Sequence, residues 1–158
     1  MVQDALNRIS TTASMAVSIA DLSKAVMSLQ RGRLISQAWK LGNGPRGNRI
    51  ESLLAFTRYA GHEWVGKLNN GFFKTLDFFK NGLGTQLKSF SGKSVNFSTY
   101  KKTIDNLKKS VGTTIEGRTI EAVHLDVAVQ KQSQIKLFEK VQEYAKKEGV
   151  SIDVFVAK

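Results

Sequence analysis

No cysteine occurs among the 158 residues, and there is a single proline, Pro45. The first absence excludes a disulfide framework, a thiolate metal site and a cysteine nucleophile. A chain of this length can bury a proper core without such staples. Long apolar runs are missing as well. The best candidate, Ala13 to Leu29, is interrupted by Asp21 and Lys24 and is rich in alanine and serine. It neither spans a bilayer nor has the compact apolar block of a signal peptide, so stable membrane insertion is not expected. Acidic residues are scarce: 13 Asp and Glu stand against 24 Lys and Arg, a formal charge of +11. Residues 46–158 hold 19 of the basic and 11 of the acidic side chains. A surplus of this sign points to a polyanionic partner: nucleic acid, an anionic membrane or an acidic protein.

The chain divides near its proline. Residues 3–30 read as one helix with a short heptad stripe of Met15, Ile19, Leu22, Val26 and Leu29, and a second helical piece covers Arg33 to Leu41. The breakers of Gly42-Asn43-Gly44-Pro45-Arg46-Gly47 then mark a joint, giving an N-terminal helical segment, 1–44, and a second domain, 45–158. Beyond the joint, Asn48 to Tyr59 reads as a helix, and Phe72 to Phe79 and Thr85 to Phe90 as two strands. Phe97 to Val111 is an amphipathic helix with Tyr100, Ile104, Leu107 and Val111 on one side. Ala122 to Gln130 alternates as a strand, Ser133 to Glu148 is a helix closed by Gly149, and Val150 to Val156 is a final strand. The closing strand–helix–strand predicts a parallel pair with a right-handed crossover. With the hairpin in the middle, the expected fold is α/β with a mixed sheet flanked by helices.

The hairpin carries the chemistry. Asn-Gly is a strong signal for a two-residue turn, and Asn81-Gly82 there pairs Lys80 with Leu83, Phe79 with Gly84, Phe78 with Thr85, and Asp77 with Gln86. Side chains two apart share a face, so Lys88 joins Gln86 and Asp77. Glu51, on the preceding helix, closes the group if that helix packs across the hairpin. Glu51, Asp77 and Gln86 are then candidate ligands for a hard divalent cation, Mg2+, Mn2+ or Zn2+, which polarises a phosphate and generates hydroxide. Lys88 is placed to orient the attacking water and offset charge growing on the phosphorane. An acid, a second acid and X-x-Lys on the next strand form the PD-(D/E)xK pattern of restriction-endonuclease-like nucleases. Arg46, Arg49, Lys101, Lys102, Lys108 and Lys109 are candidate phosphate contacts.

At Arg46-Gly47-Asn48-Arg49-Ile50-Glu51, at Gly71 to Phe79, at Gln86-Leu87-Lys88-Ser89-Phe90 and at the closing Tyr144 to Val150, the chain resembles a known group. These are the C-terminal toxin domains of contact-dependent growth inhibition effectors, carried on two-partner-secreted, filamentous-haemagglutinin-like proteins of Gram-negative bacteria. The likeness spans roughly Arg46 to Lys158. It implies a restriction-endonuclease-like core and export on a larger cell-surface effector. It further implies delivery to the cytoplasm of a target bacterium, interbacterial competition by nuclease activity on transfer RNA, and a cognate immunity protein. Carried over, Glu51 and Asp77 bind metal and Lys88 is the catalytic lysine. Gln86 departs from the Glu, Asp or Ser of relatives, which lowers the negative charge and bears on the number of metal ions. The segment before Gly42 would then be the end of the part that handles entry into the target cell, with Met1 not a natural start of the chain.

An acidic immunity protein covering the Asp77–Lys88 cleft is expected from the charge of +11, and a host cofactor in the target cell is a further candidate partner. Other motifs are weaker. His62-Glu63 lacks the second histidine of a zinc protease, since Gly66 stands there. His124 and Asp126 share a strand face and read more simply as ordinary polar residues than as a second site. Phe72, Phe73, Phe78 and Phe79 read as core. The alternatives to a transfer-RNA nuclease are a DNase of the same fold and a non-catalytic basic module that binds nucleic acid or protein.

Overall fold

The computed structural model describes residues 19–66 and 75–157, so the beginning of the expected 3–30 helix and Phe72 and Phe73 of the expected strand lie outside the described residues. Helix α1, Ile19–Ala38, runs on without the interruption expected before Arg33. It buries its last turn: Ile35, Ala38 and Trp39 enter the interior, while Leu29 and Leu34 stay largely exposed. Of the cluster of breakers, Gly42 caps the next helix and Asn43 to Gly47 lie inside it. A short turn after Ala38 leads directly into α2, Asn43–Ala55, five residues ahead of the expected start. Pro45 falls in the first turn, where its missing N–H removes no intrahelical bond. Arg46, Ile50 and Leu54, spaced by four, form the buried stripe of α2.

Strands β1, Phe78–Lys80, and β2, Leu83–Phe90, form the hairpin. Its register is Phe78 to Thr85, Phe79 to Gly84 and Lys80 to Leu83. Asn81 and Gly82 both have positive φ, 49° and 83°, the left-handed pair that a tight hairpin turn requires. Helix α3, Phe97–Ser110, starts on the side chain of Asn96, which accepts from the Thr99 amide. It buries Tyr100, Thr103, Ile104 and Leu107 but leaves Val111, expected on the same stripe, exposed. A small hairpin of β3, Thr114–Ile115, and β4, Arg118–Thr119, follows; the sequence reading had no element there.

Strand β5, Ala122–Val129, leads to a 3-10 helix, Gln132–Phe138, and then α4, Glu139–Lys147. The expected single helix from Ser133 is thus tightened in its first half. There Gln134 takes the amides of Gln130 and Lys131 on its side-chain oxygen and donates to the Gly92 carbonyl. Gly149, at φ 74°, ends α4 and lets the Val150 amide reach the Ala145 carbonyl. Strand β6, Ser151–Val156, completes a sheet of order β1-β2-β5-β6. The first pair is antiparallel and the next two are parallel, so the fold is α/β with a mixed four-stranded sheet.

The strands' alternation sends side chains into two cores. Val123, Leu125, Val127 and Val129 pack with Tyr100, Ile104, Leu107, Phe138 and Val141 under α3 and α4. On the other face, Phe78, Leu87, Ala128 and Phe155 meet Ile35, Trp39, Ile50 and Leu54 of α1 and α2. That second core holds α2 across the hairpin, and Glu51 with it.

Candidate active site

The site lies where β1 stops. Phe78 pairs with Thr85, yet the Asp77 amide also donates to the Thr85 carbonyl at 2.9 Å, so two residues oppose one and the strand bulges. Asp77 therefore stands outside the ladder instead of pairing flatly with Gln86. Its Oδ2 accepts the Leu87 amide at 2.8 Å, capping a β2 donor that β1 is too short to reach. The side chain of Glu51, from α2, hydrogen-bonds to Asp77 on the other side, and the Lys88 charge acts on it as well.

Two carboxyl groups in bonding contact cannot both be ionised cheaply. Burial, then the hydrogen bond and charge of Glu51, push Asp77 up to about 8; the Leu87 amide and Lys88 pull only weakly the other way. The wall behind the two acids is Gly66, whose backbone amide donates to the Asp77 carbonyl at 3.1 Å. A Cβ there would lie 3.1 Å from Glu51 Oε1 and 3.3 Å from Asp77 Oδ1. Glu51 and Asp77 thus meet, with the Lys88 charge within electrostatic reach of Asp77. Gln86 is half-buried on β2, in register with Leu125, and shares the face of Lys88. Among the described residues no group of three His, Cys, Asp or Glu is arranged to hold a metal, so the acidic donors here number two.

The candidate phosphate contacts divide. Arg46 is buried: its guanidinium donates to Asn43 Oδ1 at 3.0 Å and Ser89 Oγ at 3.4 Å and lies 5.8 Å from the Trp39 ring centre. It ties α1, α2 and β2 together. Lys108 pairs with Glu148 at 2.6 Å, and Lys101 sits 5.7 Å from the Tyr144 ring centre. Arg49, Lys102 and Lys109 are exposed.

A second polar group occupies the α2 face of the sheet. Asp126, 2% exposed, accepts from Tyr59 Oη at 2.5 Å, from His124 Nε2 at 2.7 Å, and from Arg58 Nε and Nη2 at 3.3 and 3.4 Å. Burial alone would raise its pKa; these donors outweigh that and hold it below the usual carboxylate range. Arg58 also reaches Asp153 at 2.5 Å and lies 3.7 Å from the Phe155 ring centre. The other ring nitrogen of His124, Nδ1, lies 2.8 Å from Ser151 Oγ. Arg58, Tyr59 and Gly66 were not legible as site or network residues. Only the pairing of His124 with Asp126 two positions apart hinted at this group.

No family model matches the chain, and no curated protein sequence does. A solved structure does match: the CdiA-CT/CdiI toxin and immunity complex from Yersinia pseudotuberculosis, at 26% identity and a TM-score of 0.50, over 69% of this chain and 98% of the matched chain. No described helix is long and apolar enough to cross a membrane. In sequence and in fold together, the chain is similar to a component of a contact-dependent growth inhibition toxin–immunity pair.

Proposed function

We propose that the chain is the toxin domain of a contact-dependent growth inhibition effector and a metal-dependent endonuclease, with transfer RNA as its substrate. One observation carries the nuclease reading: Glu51 and Asp77 meet at a sheet edge, from two different elements, with the Lys88 charge within electrostatic reach. Their like charge favours a cation between them, and oxygen donors suit a hard divalent ion. Glu51 and Asp77 would hold it, with Gln86 contributing an amide oxygen. Such an ion, Mg2+, Mn2+ or Zn2+, supplies Lewis-acid polarisation of a phosphate and a water acidified to hydroxide.

The chain's own residues supply the rest. Lys88 offers a compact cation whose ammonium hydrogen-bonds a phosphate oxygen or the attacking water and offsets charge that grows during displacement. The Leu87 amide fixes the orientation of Asp77, since a carboxylate held by a backbone donor keeps one rotamer. The basic surface, including exposed Arg49, Lys102 and Lys109, collects the polyanion.

The neighbouring structure is a toxin described with its immunity protein, which supports a cognate immunity partner here. With +11 on this chain, that partner is acidic and covers the Asp77–Lys88 edge. The same likeness supports delivery on a larger cell-surface effector into a target cytoplasm.

The test is cleavage of total bacterial RNA and of plasmid DNA, each with and without Mg2+, Mn2+ or Zn2+, beside Lys88→Ala. Shortened transfer RNA that depends on both metal and Lys88 supports the whole reading. Plasmid cleavage alone keeps the site and replaces the substrate with DNA. No cleavage of either nucleic acid under any metal leaves a basic binding module in its place.

A further inference from the structure

The side chains of the two acids are brought into contact although their charges would oppose each other if both were ionised. The Leu87 amide holds Asp77, and the backbone of Gly66 lies against both acids. This residue closes a stretch that bridges to β1 at Glu63 and enters a 3-10 turn at Val65 and Gly66. Glu63 and Phe79 exchange amide and carbonyl at 2.8 and 2.9 Å, and the Gly66 amide donates to the Asp77 carbonyl at 3.1 Å. Two anchors fix the stretch independently of the acids. Val65 is buried in the α3-side core, and Glu63 is gripped by both arms of the Arg118 guanidinium from β4. Gly66 therefore faces the acids from a fixed position.

What it presents is bare backbone. The Cβ of any other residue would stand 3.1 Å from Glu51 Oε1, 3.3 Å from Asp77 Oδ1 and 3.5 Å from Asp77 Cα. The first two distances are tighter than ordinary van der Waals contact, so one carboxylate would have to move by a few tenths of an ångström. Gly66 does not sit in the left-handed region, unlike Gly61 nearby at φ 87°. Backbone conformation therefore places no demand for glycine at 66; only the space beside the acids does.

We infer that Gly66 is a positioning residue: its missing side chain sets the spacing of Glu51 and Asp77 and hence the grip of the pair on a divalent cation. This inference rests on the metal-site reading of those two acids. Gly47, on α2 one turn before Glu51, is the matched control, because its added Cβ would meet only Ser89 Oγ at an ordinary 3.8 Å.

The experiment is Mn2+ binding to the full chain by titration calorimetry, with no nucleic acid present. Gly66→Ala should weaken Mn2+ by about ten- to a hundredfold, the usual effect of disturbing the support of a metal ligand. Gly47→Ala should leave it unchanged. With substrate, kcat of Gly66→Ala should fall while KM for nucleic acid holds, since the phosphate-collecting surface is untouched. A spacing role also predicts a rescue. Glu51→Asp withdraws one carboxylate by a methylene; it should weaken Mn2+ in the native background and restore part of the affinity in Gly66→Ala. Should Gly66→Ala fail to fold, the double variant compared with Glu51→Asp alone carries the same test, with near-equal affinities expected. Native-like Mn2+ affinity in Gly66→Ala, or strictly additive losses in the double variant, overturns the inference. Glu51→Gln separates the two ways of failing. If it abolishes Mn2+ binding while Gly66→Ala does not, only the role of Gly66 falls. If Glu51→Gln also binds Mn2+ normally, the metal-site reading falls and the inference with it.

Discussion

Two acids flank Leu87 in strand β2 and meet opposite fates. Asp77 takes the Leu87 amide from the open edge, and Asp126 is its register partner in β5. Asp126 is surrounded by donors: Tyr59, His124 and both arms of Arg58 fill its oxygens. Asp77 has one amide and, where further donors would be, another acid. The first arrangement holds an ionised carboxylate in the interior and spends all its bonding capacity on structure. The second leaves the pair under mutual repulsion, relieved by a proton or, on the proposed reading, by a cation. A buried acid is thus a candidate for function less by its burial than by what its neighbours withhold.

The sharpest test of this contrast is to remove charge from the edge acid. Asp77→Asn and Lys88→Ala should each lower nuclease activity by at least about a hundredfold, the scale of losing one transition-state electrostatic contact. Both should leave the fold intact by circular dichroism. An Asp77→Asn protein that cleaves normally would erase the distinction between the two acids.

Asp126→Ala should do the reverse and act on stability. It strands Tyr59, the Arg58 guanidinium and His124 around a hole, with an expected loss of about 3–5 kcal/mol, as for removing one partner of a buried charged pair. Urea unfolding measures it; a loss under about 1 kcal/mol would show that the network is idle.

The pH dependence of the metal-free protein should carry opposite signs for the two acids. Asp77 is pushed up to about 8, so between the ordinary carboxylate range near pH 4 and that value the folded chain holds a proton that the unfolded chain has lost. Its contribution to stability therefore declines as pH rises through this window. Asp126 is held low, so its contribution is present above the ordinary carboxylate range and is lost as pH falls through its folded pKa. Melting temperatures from pH 5 to 9 should decline in the native chain without metal, flatten in Asp77→Asn, and flatten again when Mg2+ is added. A native melt that rises across that range without metal would contradict the upward shift of Asp77.

The smallest effect is expected from Arg58→Lys. It keeps a charge near Asp126 and Asp153 but loses the fork and the stacking on Phe155, for about 1 kcal/mol by the same urea measurement.

Much of the frame was legible because it rests on local chemistry. Asn81-Gly82 dictates a left-handed turn pair, and the register of β1 on β2 follows from it by counting. The alternation of Val123, Leu125, Val127 and Val129 announces a strand buried on that face, and the short connection through α4 leaves β6 parallel to it. Other features were hidden by competing signals. Gly42 to Gly47 look like breakers, yet glycine and proline in a first helical turn cost little when Ile50 and Leu54 are buried against Trp39 and Phe78. The 3-10 start of the last helical segment depends on Gln134 reaching Gly92, forty-two positions away.

The candidate site divides along the same line. Residue types and spacing alone placed Asp77 and Lys88 on one hairpin and proposed Glu51 as their companion, because turn geometry and strand period are local properties of the backbone. Whether Glu51 reached Asp77 depended on how α2 crosses the hairpin, which is settled by the packing of Ile50 and Leu54 into the shared core. The bulge that turns Asp77 toward the Leu87 amide, the bare wall at Gly66, the inward turn of Arg46 and the convergence of Arg58 and Tyr59 on Asp126 were likewise decided by tertiary contact. Each joins residues from separate elements whose distance no local pattern encodes. Residue types set what chemistry the chain can offer, and packing decides which of those groups face one another.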